Sequence, residues 1–89
     1  MLKTELTIVN KLGLHARAAV KLVELASGYS SDVVLVRGNK RVNGKSILGV
    51  MMLAAARGVS LELIVDGKDE QAALDSIVRL VQHRFGEDE

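Results

Sequence analysis

The chain has 89 residues, 12 basic and 11 acidic, for a formal charge of +1, with 48% hydrophobic residues and no cysteine or proline. That is enough for one domain, residues 1–89, with one core and no disulfide staples or thiolate metal site. A near-neutral chain whose only aromatics are Tyr29 and Phe85 has neither the basic footprint nor the stacking platforms that nucleic-acid binding uses, so no nucleic-acid partner is expected.

Leu2 to Val9 alternates, with Leu2, Thr4, Leu6 and Ile8 on one side and Lys3, Glu5 and Thr7 on the other. Period two with β-branched residues predicts a strand with one wet face. Asn10-Lys11-Leu12-Gly13 breaks it. From Ala16 to Ser27 the period becomes helical. Ala19, Val20, Val23 and Ala26 form a stripe with Leu22 beside it, and Arg17, Lys21 and Glu24 share the opposite face. Gly28 is expected to close the helix in a left-handed conformation.

Asp32 to Val36 is a β-branched strand; Arg37 to Lys40 is a turn, and Arg41-Val42 a brief return strand. After the Asn43-Gly44 turn, Ser46 caps a helix running through Ala54, which Gly49 weakens by up to about 1 kcal/mol relative to alanine. Val59 to Val65 alternates, with Ile64 on the polar side. Asp69 is placed to cap a last helix whose inner stripe is Ala73, Leu74, Ile77, Val78, Leu80 and Val81. His83 and Arg84 fall in its final turn, as exposed cations that suit the dipole. Gly86 ends it, and Glu87-Asp88-Glu89 reads as a frayed acidic tail. The order is β-α-β-β-α-β-α, an α+β chain in which a mostly antiparallel four-stranded sheet carries three helices on one face.

Chemistry concentrates where the first loop becomes a helix. With His15 as N-cap, the amides of Ala16, Arg17 and Ala18 have no intrahelical acceptor. Together with the helix dipole they form an anion site. That field disfavours imidazolium, leaving His15 able to act as a nucleophile. Arg17 adds a planar cation suited to phosphate oxygens. The plainer reading is a polar cap beside an arginine that solvates the helix. No metal-ligand set, Ser-His-Asp triad or glycine-rich phosphate loop is present, and neither cofactor nor metal is expected. Ser46 also has two readings: a simple cap with Ile47, Leu48, Met51 and Met52 turned inward, or a modification site beside an exposed apolar patch.

Gly13-Leu14-His15-Ala16-Arg17 resembles the active-site signature of the HPr family, the histidine-containing phosphocarriers of the bacterial PEP-dependent phosphotransferase system. Length, element order and the segment Val42 to Met51 agree with it. The resemblance implies an open-faced β-sandwich in which His15 accepts a phosphoryl group on Nδ1 from Enzyme I and passes it to IIA-type acceptors, with Arg17 steadying the group. It further implies phosphorylation of Ser46 by HPr kinase/phosphorylase, and a partner surface of Ile47, Leu48, Met51 and Lys21. Where the family signature has proline, this chain has Ala18, which restores an amide donor and is expected to alter transfer without abolishing it.

A cytoplasmic monomer is expected, since no apolar run is long enough to span a membrane and the N-terminus has no apolar signal core. A carrier of the regulatory, nitrogen-related branch remains an alternative. So does a ferredoxin-like ligand- or RNA-binding module, which the element order also permits.

Overall fold

The computed structural model describes residues 1–89. Strand β1 (Leu2–Thr7) follows the alternation, with Leu6 and the succeeding Ile8 buried. Strands β2 (Asp32–Arg37), β3 (Lys40–Asn43) and β4 (Ser60–Asp66) complete one sheet of order β1-β4-β2-β3. Every neighbouring pair is antiparallel. The strand nearest the C-terminus is therefore central, and a row Thr4–Leu63–Leu35–Val42 crosses the sheet on its inner side.

Ile64 departs from its expected place among the wet residues. It stands on the outer face between Lys3 and Val34, yet is only 5% exposed. A central strand leaves little room for water around a branched side chain, and a lysine stem can cover apolar surface.

Helix α1 (Ala16–Ser27) buries Ala18, Ala19, Leu22, Val23 and Ala26. The stripe is thus turned toward Ala18, with Val20 only half-buried. Gly28 corrects the expected helix end: its φ is −75°, right-handed, and its amide closes a tight turn onto the Leu25 carbonyl.

Helix α2 (Ile47–Met52) is shorter than expected. Leu53 is fully buried, and Ala54 takes a left-handed φ of 50° that sends the chain back toward the first loop. Arg37 Nη1 donates to the carbonyls of Leu53 and Ala54 at 2.8 Å each. These bonds supply positive charge and donors where a helix presents unpaired carbonyls.

Helix α3 (Glu70–Gln82) turns Ala73, Ile77 and Val81 inward, while Leu74, Val78 and Leu80 pack at the edge of the core. The three helices cover one face of the sheet around a single apolar cluster. None is long and apolar enough to cross a membrane.

Asp69 does not cap α3 through its side chain. Its carboxylate reaches across to the loop after α1, accepting from the amides of Ser30 and Ser31 and from the Ser31 hydroxyl. Gly67 stands against Ser31, where a Cβ would lie 2.6 Å from the Ser31 Cα. The last turn also differs from a simple helix end. Arg84 and Phe85 both have left-handed backbones, and the turn Arg84–Gly86 places Phe85 wholly in the core.

The Ser31 hydroxyl, followed by the Ser30 amide, holds the Asp69 carboxyl down to about 2, against the opposing effect of burial. A carboxyl depressed on folding stabilises the fold above its ordinary value, and that contribution disappears as pH falls through the folded value. Asp69→Asn is therefore expected to lower stability at pH 7, with the charge-dependent part of the difference from wild type shrinking below pH ~4 and lost only below pH ~2. Urea unfolding at a series of pH values measures this; a difference independent of pH would refute the ionised clip.

Candidate functional site

The loop between β1 and α1 is built from the inside. Asn10 is fully buried, and its Nδ2 donates to the Gly13 carbonyl at 2.8 Å. Gly13 has a φ of 68°, and a Cβ there would lie 2.6 Å from the Ala55 carbonyl oxygen. Only glycine meets both demands. The next amide, of buried Leu14, donates to the same Ala55 oxygen at 2.9 Å. The chain that follows α2 is therefore the seat on which the His15 loop rests.

His15 is the N-cap of α1, with φ −74° and ψ 177°. Its carbonyl accepts from Ala19 at 2.9 Å, while its imidazole makes no capping bond. The amides of Ala16, Arg17 and Ala18 have no backbone acceptor, as expected of a first turn. Ala18 is fully buried, and unlike a proline it retains an N–H.

The imidazole has a partner that the sequence reading missed. Nε2 lies 2.6 Å from Oε2 of Glu87. The other carboxylate oxygen accepts from Asn10 Nδ2 at 3.0 Å. The two side chains of the pair are 28% and 15% exposed. Burial works against the charged form of Glu87, but the hydrogen bonds from His15 and Asn10 outweigh it and hold the carboxyl below its ordinary value. The tail is folded rather than frayed: the Lys11 amide donates to the Glu89 carbonyl at 2.9 Å, and the Lys11 ammonium pairs with the Glu89 side chain at 3.1 Å.

Lys21, expected on the partner surface, is exposed and also has a partner within the molecule. Its Nζ donates to the Phe85 carbonyl at 2.6 Å, steadying the turn that delivers Glu87. Arg17 makes no hydrogen bond or ion pair inside the protein and is exposed. An open cleft of about 610 Å³ brings it together with Lys11, Leu12, His15, Ala16, Glu87 and Glu89. His15 Nδ1 has no hydrogen-bond partner and is not a buried atom. The cleft thus holds an imidazole with an unengaged ring nitrogen and a free guanidinium, at a helix start whose first amides are unpaired, which suits a group bearing phosphate-like oxygens.

Asn10 and Glu87 are the site residues that sequence reasoning did not find. A signal for Glu87 was present: a lone phenylalanine followed by glycine at the end of an amphipathic helix is a strong reason for the chain to turn back.

Ser46 caps α2, its Oγ accepting from the Gly49 amide at 3.1 Å. Gly49 is close to that cap, since a Cβ there would lie 3.3 Å from Ser46 Oγ. The apolar residues around Ser46 do not all turn inward. Val50 is buried, while Ile47, Leu48, Met51 and Met52 are 43%, 71%, 41% and 62% exposed, and Leu12 of the His15 loop is 67% exposed.

Residues 2–83 match the family described as "PTS HPr component phosphorylation site". The phosphocarrier protein HPr of Cupriavidus necator is 52% identical over 89 residues, covering all of both chains. The phosphocarrier protein NPr of Shewanella violacea is 45% identical over 86 residues, covering 97% of this chain and 94% of its own. Among solved structures, an HPr from Thermoanaerobacter tengcongensis superposes with a TM-score of 0.96 at 40% identity, covering all of both chains.

The seat under the His15 loop has a direct test. Gly13→Ala is expected to cost at least about 1–2 kcal/mol through the left-handed backbone alone, with the clash against Ala55 added to it. Urea unfolding reads the loss, and the ring-proton shifts of His15 should move with it. A variant of wild-type stability with unmoved His15 signals would show that the loop does not rest on Ala55.

Proposed function

The chain belongs to the HPr family and is a phosphocarrier of the phosphotransferase system, and from that premise we propose that His15 is its phosphoryl acceptor, at Nδ1. The observation that carries this reading is the unengaged Nδ1 at a helix start with three free amides. The group is received from phosphorylated Enzyme I and passed to IIA-type proteins. Arg17, unpaired in the cleft, steadies the equatorial oxygens, as a planar fork of donors can. The free amides of Ala16, Arg17 and Ala18 bind the remaining negative charge. Ala18 contributes a donor that proline would lack, altering the rate of transfer or the lifetime of the phosphohistidine without abolishing either.

The protein is a substrate of its partners and not a self-contained enzyme. Action as a cytoplasmic monomer is part of the same proposal. The sugar-uptake branch is preferred to the nitrogen-related one because the Val42–Met51 segment carries both Ser46 and the exposed apolar residues around it. Docking partners meet Ile47, Leu48 and Met51, with soft methionine and branched side chains able to fit several surfaces. Ser46 is the regulatory acceptor. A phosphate there adds about −1.5 to −2 charges at the first turn of α2, amid that apolar surface.

Incubation with Enzyme I and PEP should add one acid-labile phosphate to the intact mass, absent in His15→Ala. No added phosphate on wild type, or one retained by His15→Ala, would reject His15 as acceptor. Ser46→Asp should slow this phosphorylation about 10-fold or more, since misplaced charge in an interface costs several kcal/mol. An unchanged rate would remove the regulatory reading of Ser46.

A further inference from the structure

The geometry assigns Glu87 as a positioning residue for phosphoryl transfer: it keeps the proton of His15 on Nε2 and so leaves the lone pair on Nδ1, the ring nitrogen without a partner. The assignment rests on the reading of His15 as acceptor.

A neutral imidazole has one nitrogen that donates and one that accepts, and an ionised carboxylate can only accept. With Glu87 Oε2 2.6 Å from Nε2, the proton belongs on Nε2 and the nucleophilic pair on Nδ1. The carboxylate is itself held. Asn10 Nδ2 reaches Oε1 at 3.0 Å and the Gly13 carbonyl at 2.8 Å. One buried amide therefore fixes both the loop that carries His15 and the acid that orients it. The backbone turn that aims Glu87 is secured by buried Phe85 and by the bond from Lys21 Nζ to the Phe85 carbonyl. An orienting acid on the far nitrogen is how a catalytic histidine is kept in one tautomer elsewhere in protein chemistry.

The chemistry balances without a proton entering or leaving. Nδ1 attacks phosphorus as the nitrogen–phosphorus bond of the donor's phosphohistidine breaks, and that bond's electron pair returns to the donor ring. Positive charge develops on the His15 ring while Nε2 keeps its hydrogen. Glu87 then faces a forming phosphoimidazolium, and a charged acceptor strengthens that hydrogen bond as charge grows. In onward transfer a nucleophile of the IIA-type acceptor bonds to phosphorus as the Nδ1–phosphorus bond breaks, and that bond's pair returns to Nδ1. The other charges around the cleft have different tasks: Lys11 holds Glu89, Lys21 holds the Phe85 carbonyl, and Arg17 is unengaged.

The test compares wild type with Glu87→Gln and Glu87→Ala, using Enzyme I with PEP and the nitrogen-15 shifts of His15 at pH 8.5. Wild type should show a single tautomer, protonated on Nε2. Glu87→Ala should show tautomer-averaged shifts. In both variants kcat for phosphorylation should fall about 10- to 100-fold, the size expected for one hydrogen bond to a charged group, with KM for the carrier within about twofold. Wild-type kcat with unchanged nitrogen shifts in both variants would overturn the role of Glu87 while leaving His15 as acceptor. A rise in KM with unchanged kcat and shifts would overturn it too, making Glu87 a docking contact. Failure of wild type itself to be phosphorylated would instead remove the underlying reading, and the proposal with it.

Discussion

Burial of Phe85 is the constraint on which the molecule's chemistry depends. Phe85 has no exposed surface, and an aromatic ring is the largest single apolar contribution this chain can make to its core. To seat it, the backbone accepts two successive left-handed residues, Arg84 and Phe85, a conformation that side chains with a Cβ ordinarily avoid. The turn sends the chain back over the start of α1, Lys21 ties it down, and Glu87 arrives at His15. A packing requirement at one end of the chain thus sets the electrostatics at the other.

Local pattern was enough to foresee most of the scaffold. The alternation of β1 and, Ile64 apart, of β4, the stripe of α3, the Ser46 cap and the helix start at His15 all follow from near-neighbour chemistry, and the structure repeats them. What it adds comes from contacts between residues distant in the chain. Glu87 and His15 are 72 residues apart, and three acids after a glycine have the composition of a solvated tail until their surroundings are known. Asp69 has the right identity for a cap, but two amides and a hydroxyl from the α1–β2 loop compete for its carboxylate and win. Lys21 lies on the polar face of an amphipathic helix, and polarity alone cannot distinguish an amine facing solvent from one facing a carbonyl. In α1, burial of Ala18 in place of Val20 rotates the stripe by a fraction of a turn, less than residue spacing can resolve.

The two regions singled out in the sequence are one assembly in the fold. Ala55, three residues past α2, holds the Leu14 amide and stands against Gly13. Arg37 and buried Leu53 hold that stretch in place. The surface around Ser46 is therefore rigidly joined to the loop bearing His15, although the two helices are separate elements. A partner that covers Ile47, Leu48 and Met51 approaches a ring whose position is fixed by the same backbone.

The strand order has a consequence for how the chain is made. During synthesis β1 emerges first, but its only partner in the sheet is β4, with Leu2 opposite Val65 and Thr7 opposite Ser60. The β2–β3 hairpin and α1 can begin to form on the nascent chain, while β1 and the apolar side of α1 wait for the strand that completes the sheet. Closing so long a loop is slow compared with local pairing, and it leaves apolar surface uncovered in the meantime. Phe85 and Glu87 follow later still, so the core and the proposed phosphoryl site are finished together, by the same last turn of chain.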